Sequence, residues 1–291
     1  MRLYSTNNRA VEVSLKEAVF KGLPDDNGLF MPVSIPRLSD EFFQKIDTLS
    51  FQEIALEVCK ALIGDDVPEQ ELKKIIADVL TFDAPVKKVH DNIHVLELFH
   101  GPSLAFKDFG ARFMARLMAY FLQTEKKNIN ILVATSGDTG SAVAQGFLDM
   151  PGIKVTILYP SGKVSDIQEK QLTTLGKNIT ALEVDGTFDD CQKLVKEAFL
   201  DKELNSKINL SSANSINISR LIPQSFYYFY AYAQLKAQGK PVVFSVPSGN
   251  FGNLCGGLIA KRMGLPVHRF IASTNANDIV PAYLLNGLFN P

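Results

Sequence analysis

The chain has 291 residues, of which 46% are hydrophobic and 21% are charged, with 30 basic against 31 acidic side chains. At about 150 residues per domain, this length predicts two domains with a substantial core. The net charge of -1 argues against a nucleic-acid-binding protein, and the ordinary hydrophobic content argues against extensive disorder.

The cysteines and the apolar runs bear on the cellular compartment. Cys59, Cys191 and Cys255 are an odd number at wide spacing, and residues 1–20 lack the apolar core of a secretion signal. Charged or amide side chains interrupt each apolar run before it reaches the roughly 18 residues that a membrane-spanning helix needs. We therefore expect a soluble protein of the reducing cytoplasm, without a membrane partner.

The predicted elements change character near Val86. Up to about Asp83, a loop-rich start precedes two helix-like segments, 50–63 and 68–80. From Val86 onward, short apolar runs alternate with amphipathic stretches, and small or polar residues stand at the junctions. This alternation predicts an α/β fold with a parallel sheet that helices cover on both faces. The predicted strands are 94–99, 129–134, 153–159, 179–184, 242–246 and 267–272, and the predicted helices are 140–150, 188–200, 219–238 and 253–263.

A further helix is predicted after residue 106. Phe109, Phe113, Leu117 and Phe121 recur at every fourth position, which aligns one apolar stripe along a helix. Such a stripe is typical of a side that packs in the core, and we interpret it so rather than as a cofactor contact.

Three loops carry the residue types that chemistry needs: GPSLAFKDFG at 101–110, TSGDTG at 135–140 and PSGNFGN at 247–253. In such a sheet, ligands bind where strands end and helices begin, because unpaired amides there attract anions. Small residues let the amides of PSGNFGN converge on a phosphate, although a sharp turn without a ligand would have the same composition. TSGDTG offers hydroxyls and amides to a carboxylate or phosphate, although Asp138 would also serve as a helix cap.

Several familiar kinds of site are disfavoured. A dinucleotide-binding GxGxxG does not follow any predicted strand, and the Walker pattern and the GxSxG hydrolase pattern are absent. His90 and His94 are four residues apart in strand-like sequence, without a third ligand nearby. A catalytic zinc site needs three protein ligands, so we do not predict a metal.

Lys107 follows the apolar residues Leu104, Ala105 and Phe106 and stands near the start of a predicted helix. Apolar walls and a positive helix end make an ammonium lose its proton more easily, which makes a lysine nucleophilic. On its own, a solvated Lys–Asp pair is the more ordinary interpretation. A nucleophilic lysine combined with two anion-binding loops instead predicts a site for pyridoxal phosphate and an amino acid.

The three loops, in this order, resemble the tryptophan-synthase-like, or type II, fold of pyridoxal-phosphate enzymes, which implies doubly wound, mostly parallel sheets in two domains. More closely, LYSTNN, DDNGLFMP, HGPSLAFKDFG, ATSGDTGSA, YPSGKVSDIQEKQ, SSANSINISRLIPQ and VPSGNFGN are similar to the bacterial threonine synthase family. The similarity covers essentially the whole sequence. Members of that family continue beyond the equivalent of Pro291, so we expect a chain that lacks the C-terminal part of the large domain.

The resemblance implies roles for the matching positions. Lys107 would hold the cofactor as a Schiff base and move protons in catalysis. The phosphate of the cofactor would be cradled by Ser248, Gly249, Asn250, Phe251, Gly252 and Asn253. The substrate carboxylate would be bound by Thr135, Ser136, Gly137, Asp138 and Thr139, with Asp138 in place of the Asn of many relatives. We expect some of the remaining candidates to bind the substrate phosphate: Lys163, Ser165, Asn214 and Arg220.

The resemblance also implies the organisation of the chain. Residues 1–95 would form a helix-rich N-terminal segment that packs with the large domain. Residues 96–215 would form a smaller α/β domain with Lys107 and the TSGDTG loop, and residues 216–291 would begin the large α/β domain with the phosphate loop.

The implied activity is that of a carbon–oxygen lyase of threonine biosynthesis. It converts O-phospho-L-homoserine and water to L-threonine and phosphate by γ-elimination and addition of water at Cβ. Two alternatives stay open: another type II lyase such as a serine or threonine dehydratase, which needs no second phosphate site, and a non-catalytic homologue that only binds pyridoxal phosphate. The apolar faces of the predicted elements do not decide between a monomer and a homo-oligomer.

Overall fold

The computed structural model describes residues 1–123, 125, 127–213 and 216–289. A small antiparallel sheet and a group of helices form the N-terminal part. The strands are β1 (Arg2–Ser5), β2 (Glu12–Ser14) and β3 (Phe30–Pro32), with β1 in the middle. The helices are α1 (Leu15–Lys21), α2 (Asp40–Lys45), α3 (Phe51–Ile63) and α4 (Glu69–Val79). None of the helices in the described ranges has the length and apolar character that a membrane crossing requires.

The two helices predicted in this part are confirmed as α3 and α4. Ser50, the first residue of the predicted segment, is the cap of α3, and its hydroxyl accepts a hydrogen bond from the backbone N–H of Glu53. The Glu53 carboxylate in turn accepts from the backbone N–H of Ser50 at 2.8 Å. This reciprocal pair satisfies amides that the helix itself leaves unpaired, which explains why the helix begins there.

A hairpin follows in which β4 (Val86–His90) pairs antiparallel with β5 (Ile93–Leu96). The prediction that a strand at 94–99 belongs to the parallel sheet is therefore wrong. Asp91 has a φ of +41°, and this left-handed residue turns the chain back directly after β4. The placement of His90 and His94 in one strand is also wrong, because they lie on opposite strands of the hairpin.

The next segment builds a four-stranded parallel sheet. In chain order its elements are α5 (Lys107–Leu122), β6 (Ile129–Ala134), α6 (Asp138–Phe147), β7 (Ile153–Pro160), α7 (Asp166–Thr173), β8 (Ile179–Val184), α8 (Phe188–Leu200), α9 (Lys202–Lys207) and β9 (Leu210–Ser211). The strand order is β8-β7-β6-β9. The predicted strands at 129–134 and 179–184 and the predicted helix at 188–200 are confirmed with their bounds, and the strand predicted at 153–159 ends one residue later.

The last part contains α10 (Ile218–Leu235), β10 (Val242–Pro247), α11 (Gly252–Arg262), β11 (Val267–Ser273) and α12 (Ile279–Asn286). Strands β10 and β11 pair in parallel. Helix α10 is buried along most of its length and contacts α3, α5 and α11. The strand and helix predictions in this part are confirmed to within three residues at their ends.

Aromatic side chains fix α5 against α10. The predicted stripe on α5 is buried as expected, and two of its rings meet rings of α10 edge to face. Phe109 and Tyr227 have ring centroids 5.3 Å apart, and Phe113 and Phe226 have centroids 5.8 Å apart. Such pairs add about 0.5–1.5 kcal/mol each beyond the burial of their area. These pairs hold the first two turns of α5 against the middle of α10, and the candidate site lies at the starts of the same two helices.

Candidate active site

The three predicted loops meet at one cavity of about 260 Å³, which we name the Lys107 cavity. Its lining comes from the starts of α5, α6, α10 and α11: Phe106, Lys107, Gly110, Thr139, Arg220, Gln224, Pro247, Gly249, Asn250, Phe251, Gly252 and Asn253. Cavities of about 550 and 620 Å³ lie beside the β4–β5 hairpin and beside α1. None of the sequence-predicted site residues that the structure describes lines either of these two.

Lys107 is the first residue of α5 and is half-buried. Its Nζ donates a hydrogen bond of 2.9 Å to Oγ1 of Thr139. Burial lowers the pKa of Lys107, the charge of Asp138 opposes this effect, and the nearby charge of Arg220 adds to it. An amine that loses its proton more readily than usual is present to a larger extent in the neutral form, which is the form that acts as a nucleophile or a base.

Asp108 braces the loop that carries Lys107. Its buried carboxylate accepts hydrogen bonds from the backbone N–H of Ser103 at 2.9 Å and from the Ser103 hydroxyl at 2.7 Å. A Cβ atom at Gly101 would lie 2.4 Å from Oδ2 of Asp108, so only glycine leaves room for the carboxylate. Sequence reasoning missed this role of Asp108, because no known motif includes it. The loop nevertheless contains a signal for it: a glycine and a serine precede a helix whose second residue is acidic.

The TSGDTG loop is held together by Thr135. The buried hydroxyl of Thr135 donates to the carbonyl of Gly137 and accepts from the N–H groups of Gly137 and Gly140, at 2.8–3.0 Å. Gly137 has a φ of +150°, which side-chain-bearing residues rarely adopt. Thr139 lines the Lys107 cavity, whereas Ser136 and Asp138 are exposed outside its lining.

Two side chains shape the start of the PSGNFGN loop. The Ser248 hydroxyl donates to the carbonyl of Val246 at 3.0 Å, and Nδ2 of Asn253 donates to the carbonyl of Pro247 at 2.8 Å. The first bond holds the turn at the end of β10, and the second joins the end of β10 to the first turn of α11. The predicted phosphate residues from Gly249 to Asn253 line the cavity, and Ser248 does not.

The backbone of this loop offers a cradle for an anion. Phe251 has a φ of +57°, and α11 begins directly after it at Gly252. Among the described residues, none accepts a hydrogen bond from the backbone N–H of Gly249, Asn250 or Phe251. Free amides at the positive end of a helix attract a phosphate.

Arg220 also lines the Lys107 cavity. Its side chain is only 2% exposed, and Nη1 donates to the carbonyl of Ala213 at 2.6 Å. The Nε atom is buried and has no hydrogen-bond partner in the described part of the chain. Burial lowers the pKa of Arg220 to about 10. A Cβ atom at Gly110 would approach the Arg220 backbone to 3.1 Å, so this glycine lets α10 and α5 meet. A buried cation without an acidic partner fits an anionic ligand.

The other predicted residues lie apart from the cavity. Lys163 and Ser165 are exposed between β7 and α7, where Ser165 caps α7, and neither lines the cavity. Asn214 lies outside the described residues. The roles of these three in binding the substrate stay predictions.

Four lining residues were not predicted: Phe106, Gly110, Gln224 and Pro247. Gln224 follows Arg220 by four residues, and residues at this spacing lie on the same side of a helix. Once Arg220 was a candidate, helical spacing could therefore have indicated Gln224. Its Nε2 donates to the Arg220 carbonyl at 2.8 Å.

The residues of the cavity fit pyridoxal phosphate. Its lining combines an amine that readily loses its proton with amides at a helix start that have no partner among the described residues, and a carbonyl group and a phosphate group of one cofactor require these two features. Arg220, whose buried Nε has no partner in the described part of the chain, lines the same cavity.

Comparisons with known proteins agree with this geometry. Residues 2–80 match the family model of the threonine synthase N terminus, and residues 79–287 match that of pyridoxal-phosphate dependent enzymes. The chain is 51% identical over 292 residues to threonine synthase of Haemophilus influenzae, which covers 100% of this chain and 68% of that relative. The chain belongs to the threonine synthase family. A second member, from Escherichia coli, is 49% identical over 292 residues, with the same coverage.

Solved structures of threonine synthases share the fold. The crystal structure from Escherichia coli matches with a TM-score of 0.91 at 48% identity, over 100% of this chain and 68% of that chain. A structure of threonine synthase with bound pyridoxal phosphate, from Brucella melitensis, matches with a TM-score of 0.93 at 39% identity, over 99% and 63%. The type II fold and the cofactor expected from the sequence are thereby confirmed. The chain spans about two thirds of the length of these threonine synthases.

Proposed function

We propose that Lys107 holds pyridoxal phosphate in this chain and is the base with which this threonine synthase family member converts O-phospho-L-homoserine and water to L-threonine and phosphate. The observation that supports these assignments is the single cavity shared by Lys107, Thr139, Arg220 and the 249–253 loop. The close threonine synthase relatives favour this reaction over that of a dehydratase.

In this proposal the phosphate loop holds the cofactor by its backbone. The amides of Gly249, Asn250, Phe251 and Gly252 and the positive end of α11 bind the cofactor phosphate. Ser248 and Asn253 keep the loop in shape through their bonds to backbone carbonyls. When bound, pyridoxal phosphate supplies an electron sink that stabilises negative charge at the substrate Cα.

Lys107 moves the protons. Its neutral amine takes the proton from Cα, must release that proton to become neutral again, and then takes the proton from Cβ of the substrate, which allows the γ-phosphate to leave. A base works best when its pKa lies near the working pH, and burial lowers the pKa of Lys107 in that direction. Thr139 holds the nitrogen in place through its hydroxyl.

The substrate carries a carboxylate and a phosphate, and each has a proposed partner. The TSGDTG loop binds the carboxylate with its amides and hydroxyls, and Arg220 binds the phosphate. Arg220 has the strongest support of the phosphate candidates because its buried guanidinium lines the cavity with an unpaired Nε.

In this proposal, a movement of one domain toward the other would complete the site for the substrate phosphate with Lys163, Ser165 and Asn214. We propose that residues 96–215 form the smaller domain and close over residues 216–291, with residues 1–95 as the N-terminal segment. Closure would bring the exposed Lys163 to the substrate and keep water from the reacting carbon at the early steps.

The test is to incubate the full chain with pyridoxal phosphate and O-phospho-L-homoserine and to measure threonine and inorganic phosphate. We expect equal amounts of the two products, and we expect Lys107→Ala to abolish both them and the visible absorbance band of the bound cofactor. Release of ammonia from serine or threonine, without phosphohomoserine turnover, would instead support a dehydratase. A cofactor band with no turnover of either substrate would support a non-catalytic homologue.

A further inference from the structure

Gln168 links the starts of two helices next to Lys107. It occupies the third position of α7, where its Oε1 accepts hydrogen bonds from the backbone N–H of Ser165 at 3.2 Å and from the Ser165 hydroxyl at 3.1 Å. The backbone N–H of Gln168 donates back to the Ser165 hydroxyl at 3.4 Å. On the other side, Nε2 of Gln168 donates to Oδ1 of Asp138 at 2.8 Å. Asp138 is the first residue of α6.

The surrounding groups determine which way the Gln168 amide points. The N–H of Ser165 can only donate, so the Gln168 oxygen must face it, and the Asp138 carboxylate oxygen accepts, so the Gln168 nitrogen faces Asp138. A Cβ atom at Gly137 would lie 2.5 Å from Nε2 of Gln168. The missing side chain of Gly137 therefore gives Gln168 the room to reach Asp138.

Asp138 is close enough to Lys107 to affect its charge without contacting it. Thr139, the next residue, accepts the hydrogen bond of the Lys107 amine. The charge of Asp138 favours the protonated amine, whereas burial and Arg220 favour the neutral amine. Within the described residues, no ion pair joins Lys107 to Asp138; the contact of the Asp138 carboxylate is with Gln168.

We propose that Gln168 is a positioning residue that holds the Asp138 carboxylate out of contact with Lys107. Without this hydrogen bond, the exposed carboxylate is free to turn toward Lys107 and form an ion pair with the amine. An opposite charge in contact stabilises the ammonium form, so Lys107 would lose its proton less readily. The proposal rests on the proposed role of Lys107 as nucleophile and base.

The test follows the Lys107 amine directly, in the full chain before pyridoxal phosphate is added. Competitive labelling with acetic anhydride over a pH series, read by mass spectrometry, gives the pKa of this one amine. We expect Gln168→Ala to raise it and to slow labelling at a fixed pH below the pKa, by about tenfold for each unit of the rise. In the Asp138→Asn background, the same substitution should leave the pKa unchanged, because there is no carboxylate to release.

Two further variants separate positioning from helix capping. Gln168→Glu retains the capping partner for Ser165 but places an acceptor against Asp138, so it should raise the pKa of Lys107 more in the unmutated background than in the Asp138→Asn background, where only the charge of the new glutamate acts. It also preserves the test if Gln168→Ala fails to fold. Glu53→Ala removes an equivalent capping side chain from α3, outside the lining of the Lys107 cavity, and should leave the pKa of Lys107 unchanged.

The outcomes distinguish this proposal from the proposed function. An unchanged or lowered pKa of Lys107 in Gln168→Ala and Gln168→Glu would overturn the positioning role. A rise that persists at full size in the Asp138→Asn background would overturn it too, because the effect would not pass through Asp138. Failure of the unmutated chain to release threonine and phosphate would count against the proposed function, and the labelling result would still decide the role of Gln168.

Discussion

Arg220 combines two properties that are rarely stable together, a positive charge and nearly complete burial. Buried charges are normally paired, yet no acid pairs with this guanidinium in the part of the chain that the structure describes, and its Nε is unpaired. We therefore attribute the position of Arg220 to an anionic ligand rather than to stability.

Arg220→Lys tests this attribution. Lysine keeps the charge but cannot present the two-pronged donor set of arginine, so we expect kcat/KM for O-phospho-L-homoserine to fall about 10- to 100-fold. Steady-state release of phosphate measures this, and an absorbance titration shows whether affinity for pyridoxal phosphate is retained. Arg262→Lys, at an exposed arginine in the last turn of α11, is the matched control. Equal kcat/KM values for the two variants would contradict the role of Arg220.

The hydrogen bonds from Ser103 to the buried Asp108 carboxylate lead to a prediction about how stability depends on pH. Burial raises the pKa of Asp108 above its unfolded value, and the two hydrogen bonds from Ser103 partly offset the rise. The ionised carboxylate is therefore a cost to folding that sets in as the pH rises through the unfolded and then the folded pKa. Ser103→Ala removes one of the bonds that reduce this cost.

We expect Ser103→Ala to lower the free energy of unfolding by about 1–3 kcal/mol at neutral pH. As the pH falls through the raised pKa of Asp108 and then through the ordinary pKa of the unfolded chain, the carboxyl takes up a proton, and the difference from the unmutated chain should shrink. Urea unfolding of both chains without cofactor at several pH values measures it. A difference that stays constant down to acid pH would show that the bond does not depend on the Asp108 charge.

At the scale of elements, the positions of regular helices and strands could be predicted from the sequence. The strand with which each strand pairs could not. The helix α8 follows from a cap at Thr187 and a helical apolar period, both of which are local. The sequence of β5 has the composition of a sheet strand, but nothing in it states which strand it pairs with. Strand β9 has only two residues, too few for any period to be visible.

The contact between α6 and α7 leads to a prediction at this scale. Gly137→Ala forces an unfavourable φ and also places a Cβ atom against Gln168. We expect it to lower the free energy of unfolding by about 2–4 kcal/mol. Gly137→Ala in the Gln168→Ala background is the matched control, because the backbone strain is the same there but the side-chain amide that the added Cβ would meet is gone, and it should cost less. Equal losses would mean that backbone strain alone, and not the contact with Gln168, makes position 137 a glycine.

For the whole molecule, the three loops and their chemistry could be predicted, and the way they close on one another could not. Lys107 and PSGNFGN are recognisable because each is a compact local pattern. Gly110 and Gln224 were missed because their importance depends on how α5 packs against α10, a contact between distant parts of the chain. Asp108 was missed for a related reason, since a Lys–Asp pair in a sequence carries no sign of being buried.

A cofactor that contacts both α5 and α11 should stabilise the molecule as a whole. Binding to the folded state alone adds about 2.7 kcal/mol when the ligand is at 100 times its Kd. We expect pyridoxal phosphate to raise the Tm of the full chain in a concentration-dependent way, measured by differential scanning calorimetry. Lys107→Ala should shrink this rise by removing the covalent attachment. A Tm that does not respond to the cofactor would contradict the assignment of the Lys107 cavity.

The shared lining of the Lys107 cavity has a consequence for how the protein is made. Lys107, which carries the amine, is synthesised early. The turn that binds the phosphate ends at Asn253 and leaves the ribosome much later. A nascent polypeptide that ends before this turn would have the lysine amine that reacts with the aldehyde of the coenzyme. It would not yet have the turn that binds the phosphate of the coenzyme. Stable uptake of the coenzyme would thus mark the moment when translation has passed both sites.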